Sequence, residues 1–509
     1  MNLAEIALRT GTEQPHRKKP AFLTAQGAVS NESFQQLVFS YANGLKELGL
    51  QPGDKILLRM TNSVQFAASF LAVVWLGGIP VLQNFQFGRS ELEHIVGLTE
   101  PTGIISSPAS DPGTEGLATG AWRAVAAKTR LVSGDGTTLS GNSNSVLPAY
   151  DAHPDQAAMI VFTSGTTGRP KGIVHAHRWL NALGDSNRAR IPTEPNDVAL
   201  ATGEWSFISA LGHNVLFPLR NGVVGSILDE RASPDRILST ISRDRVTLLY
   251  SVATLYRRIL SEPGIEDRFD LSSLRGVNAT GEPLEASIRR EWERRFRCPV
   301  WEHFGVSEAQ MALGHGPGVA EKTGTVGVAW GAEPAVLDDT LAPQPRGTAG
   351  RLAFRENYPG FFLEYLGDRQ QTEATKRDGW FLTNDLATID NEGYVTIFGR
   401  VDDCFKSKGV LIVPREIEDA LLQLGTIEEA CVFKIPDKEI GNRIGAAVVL
   451  RTHASANQRG KRAISDALKG RIAPFKFPHD IFFFEELPKN ANGKTQRSEV
   501  IRKALTSEA

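Results

Sequence analysis

The chain has 509 residues, beyond the size at which one hydrophobic core keeps growing, so at least two domains are expected. Its 41% hydrophobic and 22% charged residues describe an ordinary globular enzyme, and a net charge of −2 leaves no electrostatic footprint for nucleic acid or an anionic membrane. Cys298, Cys404 and Cys431 lie far apart without metal-ligand spacing, which argues against a disulfide framework or a zinc site and fits a reducing cytoplasm.

In chain order, residues 1–9 lack a basic region followed by an apolar core and do not read as a secretory signal. Residues 55–60 predict a strand. The most apolar segment, 66–82, is interrupted by Ser69, Gly77, Gly78 and Pro80 and falls short of the ~18 to 20 apolar residues that span a bilayer, so it predicts a buried helix followed by a strand. Residues 106–148, rich in Gly, Ser and Thr, carry little pattern. A strand at 222–228, a helix after Ser233-Pro-Asp and a strand at 246–250 before a helix containing Tyr256 continue the alternation, which argues for layered α/β sheets with crossover helices. The basic run 289–297 contains interspersed Glu and reads as a solvated helix face. Pro334, Pro343 and Pro345 then mark a change to short strands, a β-rich subdomain over about 325–400. The expected organisation is an α/β N-terminal domain over 1–400 with that subdomain, and a small, mobile α+β domain over 401–509.

Within this frame, Thr163-Ser-Gly-Thr-Thr-Gly-Arg-Pro-Lys-Gly172 follows an apolar run, 158–162, and suits a phosphate loop. Gly165, Gly168 and Gly172 permit close backbone approach, while Thr163, Ser164, Thr166 and Thr167 supply hydroxyls and Lys171 a cation. It is not a Walker A loop, because Pro170 stands at the second glycine and Gly172 follows the lysine in place of Ser or Thr. Asn278-Ala-Thr-Gly-Glu-Pro-Leu284 turns between a strand and a helix, where α/β folds place ligands. Trp301-Glu-His-Phe-Gly-Val-Ser-Glu308 gathers an aromatic ring, a hydroxyl and a carboxylate. Trp380-Phe-Leu-Thr-Asn-Asp385 with Gly399-Arg400 offers a carboxylate and a guanidinium, and Lys494 sits in the polar loop Asn490-Ala-Asn-Gly-Lys-Thr-Gln-Arg497.

These motifs, in order from about residue 20 to 500, resemble those of the adenylate-forming superfamily, which includes acyl-CoA synthetases, peptide-synthetase adenylation domains and luciferases, and look closest to aryl- or medium-chain acyl-CoA ligases. The resemblance implies that Gly281, Glu282 and Pro283 contact adenine, that Phe304 and Gly305 adjoin it, that Ser307 contacts phosphate and that Glu308 holds Mg²⁺. It implies a ribose clamp of Asp385 supported by Arg400, a hinge at Asp402, and a catalytic Lys494 bridging the attacking carboxylate and the α-phosphate. Phe304 and Ser307 stand where Tyr and Thr are commoner in the family, and Asn384 replaces a usual glycine. Trp205, Phe207 and His213, in the segment 204–218, are the acid-pocket candidates, although His213 serves equally as a structural histidine. The implied activity is ATP-dependent conversion of an aromatic or medium-chain carboxylic acid to an acyl-adenylate and then to its coenzyme A thioester, with ATP and Mg²⁺ as cofactors and coenzyme A as co-substrate. Two alternatives stay open: a free-standing enzyme that loads a phosphopantetheinyl carrier protein, and a non-catalytic nucleotide-binding protein. A homodimer is left open, and no nucleic-acid partner is expected.

Overall fold

The computed structural model describes residues 1–13, 16–84, 86–106, 130–133, 146–163, 170–228, 232–282, 284–309, 311–451, 457–489 and 495–506. The chain divides into two compact units, Met1–Pro334 with Phe354–Phe381, and Ala335–Ala353 with Leu382–Ala509.

The first unit is built on two sheets whose strands, in chain order, are β1 (Pro20–Thr24), β2 (Gly27–Ser30), β3 (Lys55–Arg59), β4 (Ile79–Leu82), β5 (Gly103–Ser106), β6 (Arg130–Ser133), β7 (Ala157–Thr163), β8 (Lys171–Ala176), β9 (Val198–Ala201), β10 (Val224–Ser226), β11 (Leu248–Ser251), β12 (Gly276–Ala279), β13 (Val300–Phe304), β14 (Leu313–Gly314) and β15 (Val328–Ala329). The seven-stranded sheet runs Glu364–Tyr365, β8, β7, β4, β3, β5, β6, with β8 and Glu364–Tyr365 antiparallel to their neighbours and the rest parallel. The nine-stranded sheet runs β15, β14, β13, β12, β11, β9, β10, β1, β2, parallel from β13 to β1. Near-continuous apolar runs such as β7, buried from Ala158 to Phe162, are what strands covered on both faces require.

The helices follow local signals. Ser63 caps Val64–Trp75 by accepting from the Phe66 amide at 3.1 Å, and this helix is buried from Phe66 to Trp75 on every side before β4 follows, as the apolar pattern predicts. Ser233 caps Pro234–Asp244, with proline in the first turn where its missing N–H costs nothing. One expectation needs correcting: the basic run in helix Ala286–Phe296 is not wholly solvated. Arg289 is buried and pairs with Glu302 at 2.6 Å and Glu321 at 3.1 Å.

Strand Trp380–Ile389, in the second unit from Leu382 on, pairs antiparallel with Val395–Arg400, with Asp385 opposite Arg400. Further on, Ile427–Asp437, Gly441–Leu450 and Asp480–Phe484 form a three-stranded sheet. Alternate residues enter separate cores: Val432, Ala446 and Ile481 pack with Ile417, Leu421 and Ile464, whereas Cys431, Phe433, Ala447 and Phe482 pack with Val500 and Ala504. Helices therefore cover both faces, an α+β arrangement. Among the described residues no helix is long and apolar enough to cross a membrane.

Five histidines of the first unit are buried in neutral form. Desolvation brings His175 and His213 to about 3 and His177 and His315 to about 4, and holds His303 well below the ordinary range. The unfolded chain binds protons at these sites from about pH 6.5 downward and the folded chain does not, so stability falls as pH drops from about 6.5 toward 4, each histidine contributing about 1.4 kcal/mol per pH unit. The urea midpoint is expected to be well below its pH 7.5 value at pH 5; equal midpoints would contradict this account.

Candidate active site

Thr163 ends β7 and Lys171 begins β8, and the two face each other in register across the antiparallel pair. Ser164, Gly165, Thr166, Thr167 and Gly168, which lie between them, fall outside the described residues. The next glycine, Gly172, is needed for close approach: a Cβ there would meet Phe162 Cζ at 3.0 Å and Leu366 Cβ at 3.2 Å.

Strand β8 carries two further links. On one side it pairs with Glu364–Tyr365, placing Tyr365 opposite Ile173. The Tyr365 ring lies 5.8 Å from the Lys171 ammonium, and its hydroxyl donates to Glu308 Oε1 at 2.5 Å. One tyrosine thus touches the carboxylate and the cation that the motifs single out. On the other side, His175 Nε2 meets the Ser307 carbonyl at 3.0 Å. A carbonyl only accepts, so Nε2 carries the proton, and burial keeps the imidazole neutral with a pKa of about 3. The Phe362 amide donates to the Glu308 carbonyl at 2.8 Å, completing the support of the Ser307–Glu308 turn.

On the nine-stranded sheet, residues 280–282 leave the C-terminal end of β12 and residues 305–308 that of the adjacent, parallel β13. Gly281 has φ +81°, a left-handed conformation that favours glycine. The Glu282 carboxylate accepts from the Thr254 amide at the start of helix Ala253–Ser261, so it caps that helix. Pro283 is outside the described residues. Phe304 is half-buried, its carbonyl accepting from Ala312 at 3.1 Å, and Gly305 follows it.

The second unit holds the other candidates. Arg400 Nη1 lies 3.9 Å from Asp385 Oδ1 across the strand pair, and Asp385 is buried while Arg400 is largely open. Asn384, where a glycine is usual, sits in ordinary extended backbone, and its side chain donates to the Asp402 carboxylate. Lys494 is outside the described residues; Arg497, three positions on, pairs with Glu418 at 2.9 Å and Asp403 at 3.4 Å.

The acid-pocket candidates do not all face an opening. Trp205 has no exposed surface: its ring packs against Phe22 and Phe66 at 6.3 and 5.7 Å, and its Nε1 donates to Asn214 Oδ1 at 3.1 Å, so it is a core residue here. Phe207 is half-buried ahead of helix Ile208–Leu211. His213, in the π-helical turn Gly212–Leu216, stacks on Tyr250 at 4.2 Å and lies 5.1 Å from His303.

Beside it lies a group that no motif flagged. Arg190, 1% exposed, donates from Nη1 to Asn278 Oδ1 and to the His315 carbonyl, both at 3.0 Å. Burial lowers its pKa to about 10, and its charge helps depress His213 and His303. An uncompensated buried charge costs on the order of 3–5 kcal/mol.

Among the described residues no cluster of three or more His, Cys, Asp or Glu could hold a metal alone. A lone carboxylate such as Glu308 suits Mg²⁺, which is commonly held by one or two carboxylates with phosphate oxygens and water completing its shell.

Comparison with known proteins agrees with this layout. A family model described as "AMP-binding enzyme" matches residues 9–366, and one described as "AMP-binding enzyme C-terminal domain" matches residues 416–494. The 3-hydroxybenzoate–CoA/4-hydroxybenzoate–CoA ligase of Thauera aromatica is 26% identical over 98% of this chain and 96% of its own length. A feruloyl-CoA synthase of an Amycolatopsis species is 29% identical over 94% of each. The crystal structure of the anthranilate CoA ligase AuaEII in complex with anthranoyl-AMP has a TM-score of 0.89 at 26% identity, covering 100% of this chain and 98% of that one. The chain belongs to the AMP-binding enzymes, the adenylate-forming class. Like these relatives it is an AMP-forming carboxylate–CoA ligase, with ATP, Mg²⁺ and coenzyme A as its reaction partners.

Tyr365→Phe keeps the ring over Lys171 and deletes only the hydroxyl bound to Glu308. A hydrogen bond to a charged group is worth about 1.5 kcal/mol, so adenylation is expected to slow about ten-fold and to need more Mg²⁺ for half-maximal rate. An unchanged Mg²⁺ dependence of acid-dependent pyrophosphate–ATP exchange would contradict that role for the hydroxyl.

Proposed function

We propose that the chain activates an aromatic or medium-chain carboxylic acid: its carboxylate attacks the α-phosphorus of ATP, pyrophosphate leaves, and the thiol of coenzyme A then displaces AMP from the acyl-adenylate. The observation that carries this reading is the shared contact of Lys171 and Glu308 with Tyr365, which holds a cation and a carboxylate close together without neutralising the cation in a direct ion pair.

In this reading Lys171 and the loop from Thr163 to Gly168 receive the leaving phosphates, with Ser307 beside them, and catalysis is mostly positioning and charge stabilisation. Glu308 is the carboxylate that would hold Mg²⁺, and the bound cation supplies charge neutralisation on the pyrophosphate. Gly281, Glu282 and Pro283 present backbone to the adenine, against the flat face of Phe304 next to Gly305. Asp385 accepts from the ribose hydroxyls while Arg400 steadies it. Lys494 offsets the like charges of the attacking carboxylate and the α-phosphate. The preference for an aromatic or medium-chain acid is supported by the half-buried Phe207 ring and by relatives named for hydroxybenzoates and ferulate.

Asp402 is the hinge between the two half-reactions, held by Asn384 in the conformation described here. Carboxylate-dependent pyrophosphate–ATP exchange over a panel of acids tests the first half-reaction, and acylation of coenzyme A or of a carrier protein tests the second. Lys494→Ala is expected to cut exchange by at least a hundred-fold, roughly 2.7 kcal/mol of barrier. Asp402→Pro is expected to leave exchange nearly intact and to impair thioester formation. Exchange that persists in Lys494→Ala would remove the catalytic assignment, and equal loss of both half-reactions in Asp402→Pro would remove the hinge. A carrier protein acylated in preference to coenzyme A would replace the acceptor.

A further inference from the structure

Several arginines of the first unit with little exposed surface are held by carboxylates, while the buried Arg59 donates to Gln83 Oε1 at 3.1 Å. Arg275 faces Asp197 at 2.7 Å, Arg220 faces Asp185 at 2.6 Å, and Arg289 faces Glu302 and Glu321. Arg190, at the end of helix Trp179–Arg190, departs from this pattern. It engages only Nη1, on Asn278 and the His315 carbonyl, while its buried Nε and Nη2 meet no acceptor. Among the described residues no carboxylate lies within ion-pair distance of it.

Its surroundings add donors and no countercharge. Asn278 Nδ2 and both ring nitrogens of His303 are buried without a hydrogen-bond partner, and the neutral His303 ring donates from one of its two. Tyr250, Asn278 and Trp301 are aligned across β11, β12 and β13, and His303, two residues on, shares their face. Glycines at 314 and 316 let the neighbouring backbone close against the arginine: a Cβ at Gly314 would lie 2.9 Å from Arg190 Cδ, and one at Gly316 would lie 2.3 Å from the Arg190 carbonyl oxygen.

The position of the cluster says what could complete it. Asn278 stands three residues before Gly281 and His303 directly before Phe304, on the stems of the loops read as the nucleotide site, and His213 borders the group at 5.1 Å. Asn278 and His303 thus stand on the two strands that carry those loops, with Arg190 bonded to Asn278.

We propose that Arg190, flanked by Asn278 and His303, receives a second carboxylate at the far end of the substrate, so that the preferred acid is an aromatic or medium-chain dicarboxylic acid. The inference rests on the acid-activating reading above and narrows its substrate class. One carboxylate forms the adenylate and the other remains ionised, supplying the acceptor that the protein does not. A monoacid of the same skeleton leaves the guanidinium unpaired, and sites built around a buried polar partner reject analogues that lack it.

The test is pyrophosphate–ATP exchange with matched pairs: benzoate against isophthalate and terephthalate, octanoate against octanedioate. The wild-type protein is expected to favour the best diacid over its monoacid by about 100-fold or more in kcat/KM. Arg190→Met, similar in length and uncharged, is expected to lose that preference while retaining monoacid activity and a melting temperature at least equal to wild type, since it removes an unpaired buried charge. Exchange with the monoacids alone, or an equal fall for both members of each pair in Arg190→Met, overturns the inference and leaves the acid-activating reading standing. No exchange with any acid overturns both. The wild-type panel decides the matter should the variant not fold.

Discussion

The hydrogen bond from the buried imidazole of His175 to the carbonyl of Ser307 joins the two large sheets at the point where the candidate chemistry sits. Its donor is on β8, an antiparallel strand of the seven-stranded sheet that begins with Lys171, and its acceptor is on the turn after β13 of the nine-stranded sheet. A bond of this kind in a dry interior is electrostatically stronger than in water, and leaving its acceptor unmet is expensive. Burial keeps the ring neutral, and the carbonyl partner selects the tautomer that carries its proton on Nε2. The spacing between Lys171 and the turn carrying Glu308 is therefore set by the register of β8 and this bond, together with the contacts from Phe362 and Tyr365.

A second constraint follows from the charges such a site handles. Triphosphate and carboxylate are both anionic, so cations near them lose their use if the protein neutralises them first. Lys171 and Glu308 share contact with a tyrosine, by its ring and its hydroxyl, in place of a direct ion pair. Arg190 repeats the logic deeper in the same unit, where neutral acceptors, the Asn278 side-chain oxygen and the His315 carbonyl, carry out the holding. Arg400 in the second unit lies 3.9 Å from Asp385 across the strand pair.

Much of this was legible in the chain itself because the signals are local. Ser233 marks a helix start, the apolar runs of β3 and β7 mark strands covered on both faces, and the Gly281 turn and the Ser307–Glu308 turn leave the carboxyl ends of neighbouring parallel strands as the alternation of elements implies. What the sequence hid depends on pairing between distant segments. Tyr365 reaches Glu308 across 57 positions, His175 reaches Ser307 across 132, and Arg190 reaches Asn278 across 88, and nothing within any one segment announces these meetings. Trp205 is a candidate for the acid pocket by its segment, and only the structure shows that it has no exposed surface and packs against Phe22 and Phe66. Asn384 departs from the motif's usual glycine, and the structure places it in extended strand with its amide donating to Asp402.

Acid-dependent adenylation by His175→Leu, measured at pH 7.5 and at a temperature where wild type and variant both stay folded, bears most directly on the claim that this one link sets the site. The account predicts a fall of at least ten-fold, the equivalent of about 1.4 kcal/mol for an unmet carbonyl, with little change in secondary structure. Adenylation at the wild-type rate would show that the turn bearing Glu308 holds its place without β8, and would contradict the account.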